Sequence, residues 1–195
     1  MDRALHLVRP GEPPPNKHLL PSSVLGMLLF IFTEVMLFAG FISAHTIARA
    51  GAQAWPPAGQ PRLPFRETLI NSAALLASGA ILLVAHLAFR KRPADARGPA
   101  ALALFFGLAF VIAQGREWVA LIGEGLTLTS STYGGFFYLI VGAHALHALG
   151  AILALAWALA RLWRDRLSWA QFSTVAAFWY FVVLVWPVIY LKVYL

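Results

Sequence analysis

The chain has 195 residues, of which 60% are hydrophobic and only 12% charged, with a net charge of +7 and no cysteine. Soluble domains are about 45–50% apolar and about 25% charged, so this composition leaves too little polar surface to face water all round, and the molecule must face lipid. The absence of cysteine excludes disulfides and thiolate metal sites, and the cations lie in short stretches between apolar runs, which reads as membrane topology and headgroup contact rather than nucleic-acid binding.

In chain order, residues 1–21 form a polar tail interrupted by Pro13-Pro14-Pro15, without the apolar core of a signal peptide. Five apolar stretches follow at 22–48, 66–89, 99–122, 133–160 and 168–191. Each reaches the ~20 residues that a helix needs to cross a ~30 Å hydrocarbon core. They are continuously apolar, not alternating, which selects helices over a barrel. The expected fold is an all-α integral membrane protein, a tail followed by one five-helix bundle over 22–195.

The connections carry breakers: Trp55-Pro56-Pro57, Gly59, Pro61 and Pro64, then Pro93, Gly98 and Pro99, then Gly123 and Gly125, then the charged turn Arg161–Arg166. Arg3, Arg9 and Lys17 share one side with Arg90, Lys91, Arg92 and Arg97 and with Arg161, Arg164 and Arg166. The opposite side holds fewer cations: Arg49, Arg62, Arg66 and Lys192, with Arg116 near the end of the third helix. Cytoplasmic loops are the cation-rich ones, so the N-terminus is expected in the cytoplasm and the C-terminus across the membrane. Trp118, Trp157, Trp163, Trp169 and Tyr194 fall near span ends, as an interfacial aromatic belt would.

Polar groups at bilayer depth are expensive, and each is a functional candidate. Glu34 lies about twelve residues into the first span, among Phe30, Ile31, Leu37 and Phe38. Phe38, Phe41 and His45 continue its stripe. Glu34, with His45 on its stripe, reads as a proton-related or lipid-related site, the alternative for the carboxyl being a purely structural hydrogen bond to a neighbouring helix. His144 and His147 are three apart on the fourth span, on a face with Tyr133 and Phe137 and at a depth comparable to Glu34. A pair without further ligands is a weak metal site and reads better as interhelical hydrogen bonding. Gln114 and Glu117, beside Arg116, read as a cluster snorkelling to the interface and as candidates for interhelical polar contacts. Asn71, Ser78 and His86 lie on one broad face of the second span and are of the types that join transmembrane helices. Gly135, Gly142 and Ala145, away from the histidines, suggest close helix approach and a central place for the fourth helix.

Together these motifs resemble one family, subunit III of cytochrome c oxidase. Thr33-Glu34-Val35-Met36-Leu37-Phe38-Ala39-Gly40-Phe41 is similar to its Ser-Glu-Val-x-x-Phe-x-Gly segment, and Trp55-Pro56-Pro57-Ala58-Gly59 to the Trp-Pro-Pro-x-Gly loop that follows. Asn71-Ser72, Leu75-Leu76-Ala77-Ser78-Gly79 and His86 match the next helix. Gln114 with Glu117-Trp118, Tyr133-Gly134-Gly135-Phe136-Phe137, and Gly142-Ala143-His144-Ala145-Leu146-His147 continue the likeness in order. In the last helix the family's Trp-His-Phe-Val-Asp-Val-Val-Trp becomes Trp179-Tyr180-Phe181-Val182-Val183-Leu184-Val185-Trp186, losing the His and the Asp, and Pro187 suggests a kink. The number of spans resembles the five-helix form rather than the seven-helix one. The lipid-filled cleft walled by the two extra helices is therefore not implied.

The resemblance implies a non-redox subunit. No catalytic residue, metal or cofactor belongs to this chain, and haem and copper sit in subunits I and II. The chain packs directly on subunit I, meets subunit II and other subunits, binds phospholipid and supports proton uptake, in a bacterial plasma membrane or an equivalent energy-transducing membrane. The electron donor is read by other subunits, so a quinol oxidase or a nitric-oxide-reductase-type complex stays open, although the Trp55 loop and Glu34 lean toward the cytochrome c branch. Two different classes are also open from the residues alone. One is a free-standing proton channel or transporter using Glu34, His45, His86, His144 and His147, and the other a membrane cytochrome with haem on His86 and either His144 or His147.

Overall fold

In a computed structural model, which describes residues 21–195, the chain is a bundle of five long helices. They are α1 (Ser22–Gly51), α2 (Phe65–Lys91), α3 (Arg97–Gly123), α4 (Thr132–Trp163) and α5 (Trp169–Ile189), with a 3₁₀ turn at Pro93–Ala96 and a π-helical turn at Tyr190–Tyr194. All five are long and apolar enough to cross a membrane. Helices suit lipid because each satisfies its own backbone hydrogen bonds where no water can. The tail expected at the N-terminus lies, through residue 20, outside the described residues.

Local chemistry sets the helix ends. Pro21 and Pro64 precede α1 and α2, and Pro99 sits in the first turn of α3, where no N–H is needed. Ser131 caps α4 by accepting the Gly134 N–H at 3.1 Å. Ser168 and Gln171 form a reciprocal capping box on α5. The turn between α4 and α5 is closed by Asp165, in the left-handed region at φ 53°, whose carboxylate accepts from Arg97 at 2.7 Å and so ties the turn to the start of α3.

Two helices differ most in how they are held. α5 packs on α1, α2 and α4, and half of its span is buried. The central place expected for α4 belongs to α5. α1 packs on α5, α4 and the C-terminal π-helical turn, and buries just Phe38 and His45. The outer surface is apolar, with Ile70 at 77% exposure and Val119, Leu146 and Leu153 all above 70%, inverting the pattern of a soluble protein.

The core is built on tryptophans that donate to serines. Trp179 Nε1–H donates to Ser78 Oγ at 3.1 Å, and Trp186 Nε1–H to Ser72 Oγ at 2.7 Å. Ser78 in turn donates to the Ala103 carbonyl at 2.6 Å, joining α2, α3 and α5 through one hydroxyl. Room for these rings comes from Gly107, whose missing Cβ would fall 2.6 Å from Trp179, while Gly79 makes room for Val183. Gly142, singled out in the sequence, has only a loose neighbour, the Trp118 ring at 3.9 Å from its would-be Cβ. Val183, at the position of the Asp in the pattern the last helix resembles, packs against α2. Tyr180 lies 6.3 Å from His86 between ring centres.

Candidate functional site

Glu34 meets His147. Carboxyl Oε2 and imidazole Nε2 are 3.0 Å apart, joining α1 to α4 near the middle of both helices. Side-chain exposure is 16% for Glu34 and 14% for His147, so the pair is largely but not wholly enclosed. The imidazole's other nitrogen, Nδ1, lies 2.7 Å from the Ala143 carbonyl one turn back. Four phenylalanines surround the ring, with centroids at 5.5 Å (Phe38), 5.9 Å (Phe181), 6.3 Å (Phe178) and 6.5 Å (Phe30). α1 and α5 thus each supply two walls. The signal was in the sequence: Phe30 and Phe38 lie one turn either side of Glu34.

His144 has a different environment. It is 2% exposed, lies 4.9 Å from Trp186 between ring centres, and meets Phe110 and Phe38 edge-on. It lines an apolar groove of about 190 Å³ between α3 and α4, together with Gln114, Trp118 and Leu149. His45 is buried against Trp55 and Phe136, three turns from Glu34 along α1, and does not join the pair. His86 stacks on Trp169 at 4.5 Å and hydrogen-bonds Ser173 at 3.1 Å. Measured along α5, His86 sits at the level of residue 173 and His144 at that of 186, about 20 Å apart at 1.5 Å per residue. These histidines do not face one another across one iron. Among the described residues, no group of three or more His, Cys, Asp or Glu is placed to hold a metal ion.

Gln114 and Glu117 do not snorkel. Gln114 is 6% exposed and donates to Glu117 Oε2 at 2.8 Å and to the Tyr194 hydroxyl at 3.2 Å. Thr68 donates to the same Glu117 oxygen at 2.8 Å. Asn71 donates to the Phe110 carbonyl at 3.2 Å and, weakly, to Gln114 at 3.4 Å. The result is a polar network closing α2, α3 and the C-terminal turn near one end of the bundle. Sequence reasoning did not single out Thr68, although it lies one turn before Ser72. It also placed Tyr194 in the belt, whereas Tyr194 is 9% exposed and turned inward. The ring faces of Trp157 and Trp169 are covered by Arg161 and Arg90 at 5.2 and 5.4 Å.

Five apolar spans, polar groups paired between helices, and one carboxyl–imidazole contact at mid-depth define a polytopic helical membrane protein. The comparison with known proteins narrows this. The model of the family described as cytochrome c oxidase subunit III matches residues 19–195. A probable cytochrome c oxidase subunit 3 of Mycobacterium leprae is 32% identical over 174 residues, 87% of this chain and 86% of that protein. Its counterpart in Nocardia farcinica is 31% identical with the same coverage. The cytochrome c oxidase subunit 3 of Lumbricus terrestris is 35% identical over 87% of this chain and 68% of its own length. The chain belongs to the cytochrome c oxidase subunit III family.

Proposed function

We propose that this chain is the non-redox subunit of a haem–copper terminal oxidase in a bacterial plasma membrane, where it packs on subunit I, stabilises it, binds phospholipid and supports proton uptake during oxygen reduction. Haem and copper reside in the partner subunits. The N-terminus is cytoplasmic and the C-terminus on the opposite side, as the cation distribution argues. The observation that carries the reading is the Glu34–His147 contact. An ionisable pair at mid-bilayer costs more than an apolar one and persists where it is used. Its partial exposure, 16% at Glu34, leaves it open to a lipid or a neighbouring subunit. Lipid is accommodated by the apolar outer surface and by the groove between α3 and α4.

The test is Glu34→Gln in the assembled complex, with oxygen turnover, proton pumping and turnover-dependent inactivation measured together. A proton-related or lipid-related carboxyl changes at least one of the three. No change in any of them makes Glu34 structural. Purification separates the oxidase reading from a free-standing channel: a subunit leaves the membrane with a large haem protein, and a channel does not.

A further inference from the structure

We propose that the rim where α2 begins and α3 ends is a site for one phospholipid with an ethanolamine headgroup. This deepens the lipid-binding reading above and takes from it only that phospholipid belongs to the complex. The rim holds a pocket of about 320 Å³ whose walls carry both signs of charge, Arg62 and Arg116 together with Glu67 and Glu124. All four residues are exposed. Among the described residues the ion pairs are Arg97–Asp165 and Glu34–His147, so these four stand round one pocket without pairing across it. Glu117 also lines the pocket, but Thr68 and Gln114 both donate to its Oε2. A ligand that answers the free groups brings an anion and a cation together. A phosphate suits the two guanidiniums, and a primary ammonium with its N–H donors suits the two carboxylates.

Other headgroups answer less of the pocket. Choline has no N–H and is recognised by aromatic faces, and no Trp, Tyr or Phe lines these walls. Glycerol brings no cation and sets a phosphate beside Glu67 and Glu124 with nothing between. Serine adds a further carboxylate to theirs. Below the rim, two apolar tracks lead into the bilayer. A shallow trough of about 440 Å³ runs along α3 past Ile112, Gly115 and Val119, and it shares Arg116 and Ala120 with the charged pocket. Arg116 thus borders both, its stem along the apolar trough and its head available to the pocket, as long cationic side chains at membrane interfaces are disposed. The groove between α3 and α4 shares Gly115 with the trough. From Trp118 to Phe110 that groove descends about 12 Å along α3, most of the ~15 Å that one leaflet contributes to the hydrocarbon core. Gly115 is the saddle between the two tracks, with nothing within 4 Å of its would-be Cβ. Pocket, trough and groove are continuous, and together they have the charges and the depth of a two-chain zwitterion.

Native mass spectrometry of the purified complex tests this, after its own lipid has been exchanged for micelles carrying phosphatidylethanolamine, phosphatidylglycerol or phosphatidylcholine. Glu124→Gln should weaken retention of one phosphatidylethanolamine by about five-fold, the scale of an exposed charge pair, and leave phosphatidylglycerol unchanged or better held. Arg116→Gln should weaken all three lipids, because all carry the phosphate. Gly115→Leu fills the saddle and should also weaken all three. A Glu124→Gln complex that holds phosphatidylethanolamine as before, or loses it and phosphatidylglycerol alike, overturns the headgroup assignment and with it the proposal. Retention indifferent to all three substitutions puts the lipid elsewhere, or a neighbouring subunit over the rim, and overturns it as well. If Arg116→Gln or Gly115→Leu does not assemble, the headgroup discrimination of Glu124→Gln decides alone. A complex that keeps no phospholipid of any kind sinks the lipid-binding reading as a whole, whereas one that keeps phospholipid and ignores these residues sinks this site only.

Discussion

Placing a methyl group on Gly107 is a sharp test of how the bundle is packed. Its Cβ would lie 2.6 and 2.7 Å from Cη2 and Cζ2 of Trp179. Carbon atoms in comfortable contact stand about 3.5–4.0 Å apart, so the indole must retreat by roughly 1 Å. It has nowhere easy to go, being fully buried and tied by its N–H to Ser78. Overpacking of this kind costs about 1–3 kcal/mol. Releasing Ser78 would orphan a buried N–H for about another 1–3 kcal/mol. Against this, alanine is favoured over glycine inside a helix by about 1 kcal/mol. The net expectation for Gly107→Ala is a loss of about 2 kcal/mol, roughly thirty-fold in the folded-to-unfolded ratio. Gly115 on the same helix meets nothing within 4 Å of its would-be Cβ, so Gly115→Ala should be neutral or gain up to about 1 kcal/mol. Unfolding in mixed detergent, followed by tryptophan fluorescence, compares the two. If Gly107→Ala unfolds at the same point as Gly115→Ala, the close approach of α3 to Trp179 is wrong.

Three further outcomes are expected from the same measurement. Ser78→Ala removes the acceptor of the Trp179 N–H and should cost about 1–3 kcal/mol for one lost hydroxyl. Ser168→Ala breaks the capping box of α5 and should cost about 0.5–2 kcal/mol. Asp165→Asn removes an exposed ion pair but tolerates the left-handed backbone, so the change should stay within about 0.5 kcal/mol; Asp165→Val at the same φ should lose about 1–2 kcal/mol.

The five spans were legible because bilayer thickness imposes a length that few other structures need. Glu34 was legible because its depth follows from counting residues. Its partner was not. His144 and His147 differ by three residues, about 60° around the helix axis, and the rotation of α4 decides which one faces α1. That rotation is set by packing against α5, with its Phe178 and Phe181 walls, which no local pattern around Glu34 encodes. Gly107 was passed over for a similar reason. In a continuously apolar helix a lone glycine does not announce which face it lies on, so the search for small-residue faces picked Gly135 and Gly142, while the close approaches of one helix to another are at Gly79 and Gly107 and Gly134 is crowded by the loop before α4. Tyr194 was misplaced because the backbone changes to a π-helical turn after Pro187, rotating the last residues relative to an ideal α-helix. Proline announces a lost hydrogen bond, not the direction in which the chain then turns.

The distance along the chain between Glu34 and His147 bears on how the protein is made. They are 113 residues apart in sequence, so a ribosome working at about 5–20 residues per second delivers the imidazole roughly ten seconds after the carboxyl. For that interval the first helix must reside in the translocon or the bilayer with its acid unanswered, at a cost of about 3 kcal/mol. The greasy excess of α1, exposed on nearly every side, is what lets it wait. A nascent chain arrested before α4 emerges would hold the α1 carboxyl without the imidazole that meets it in the finished bundle.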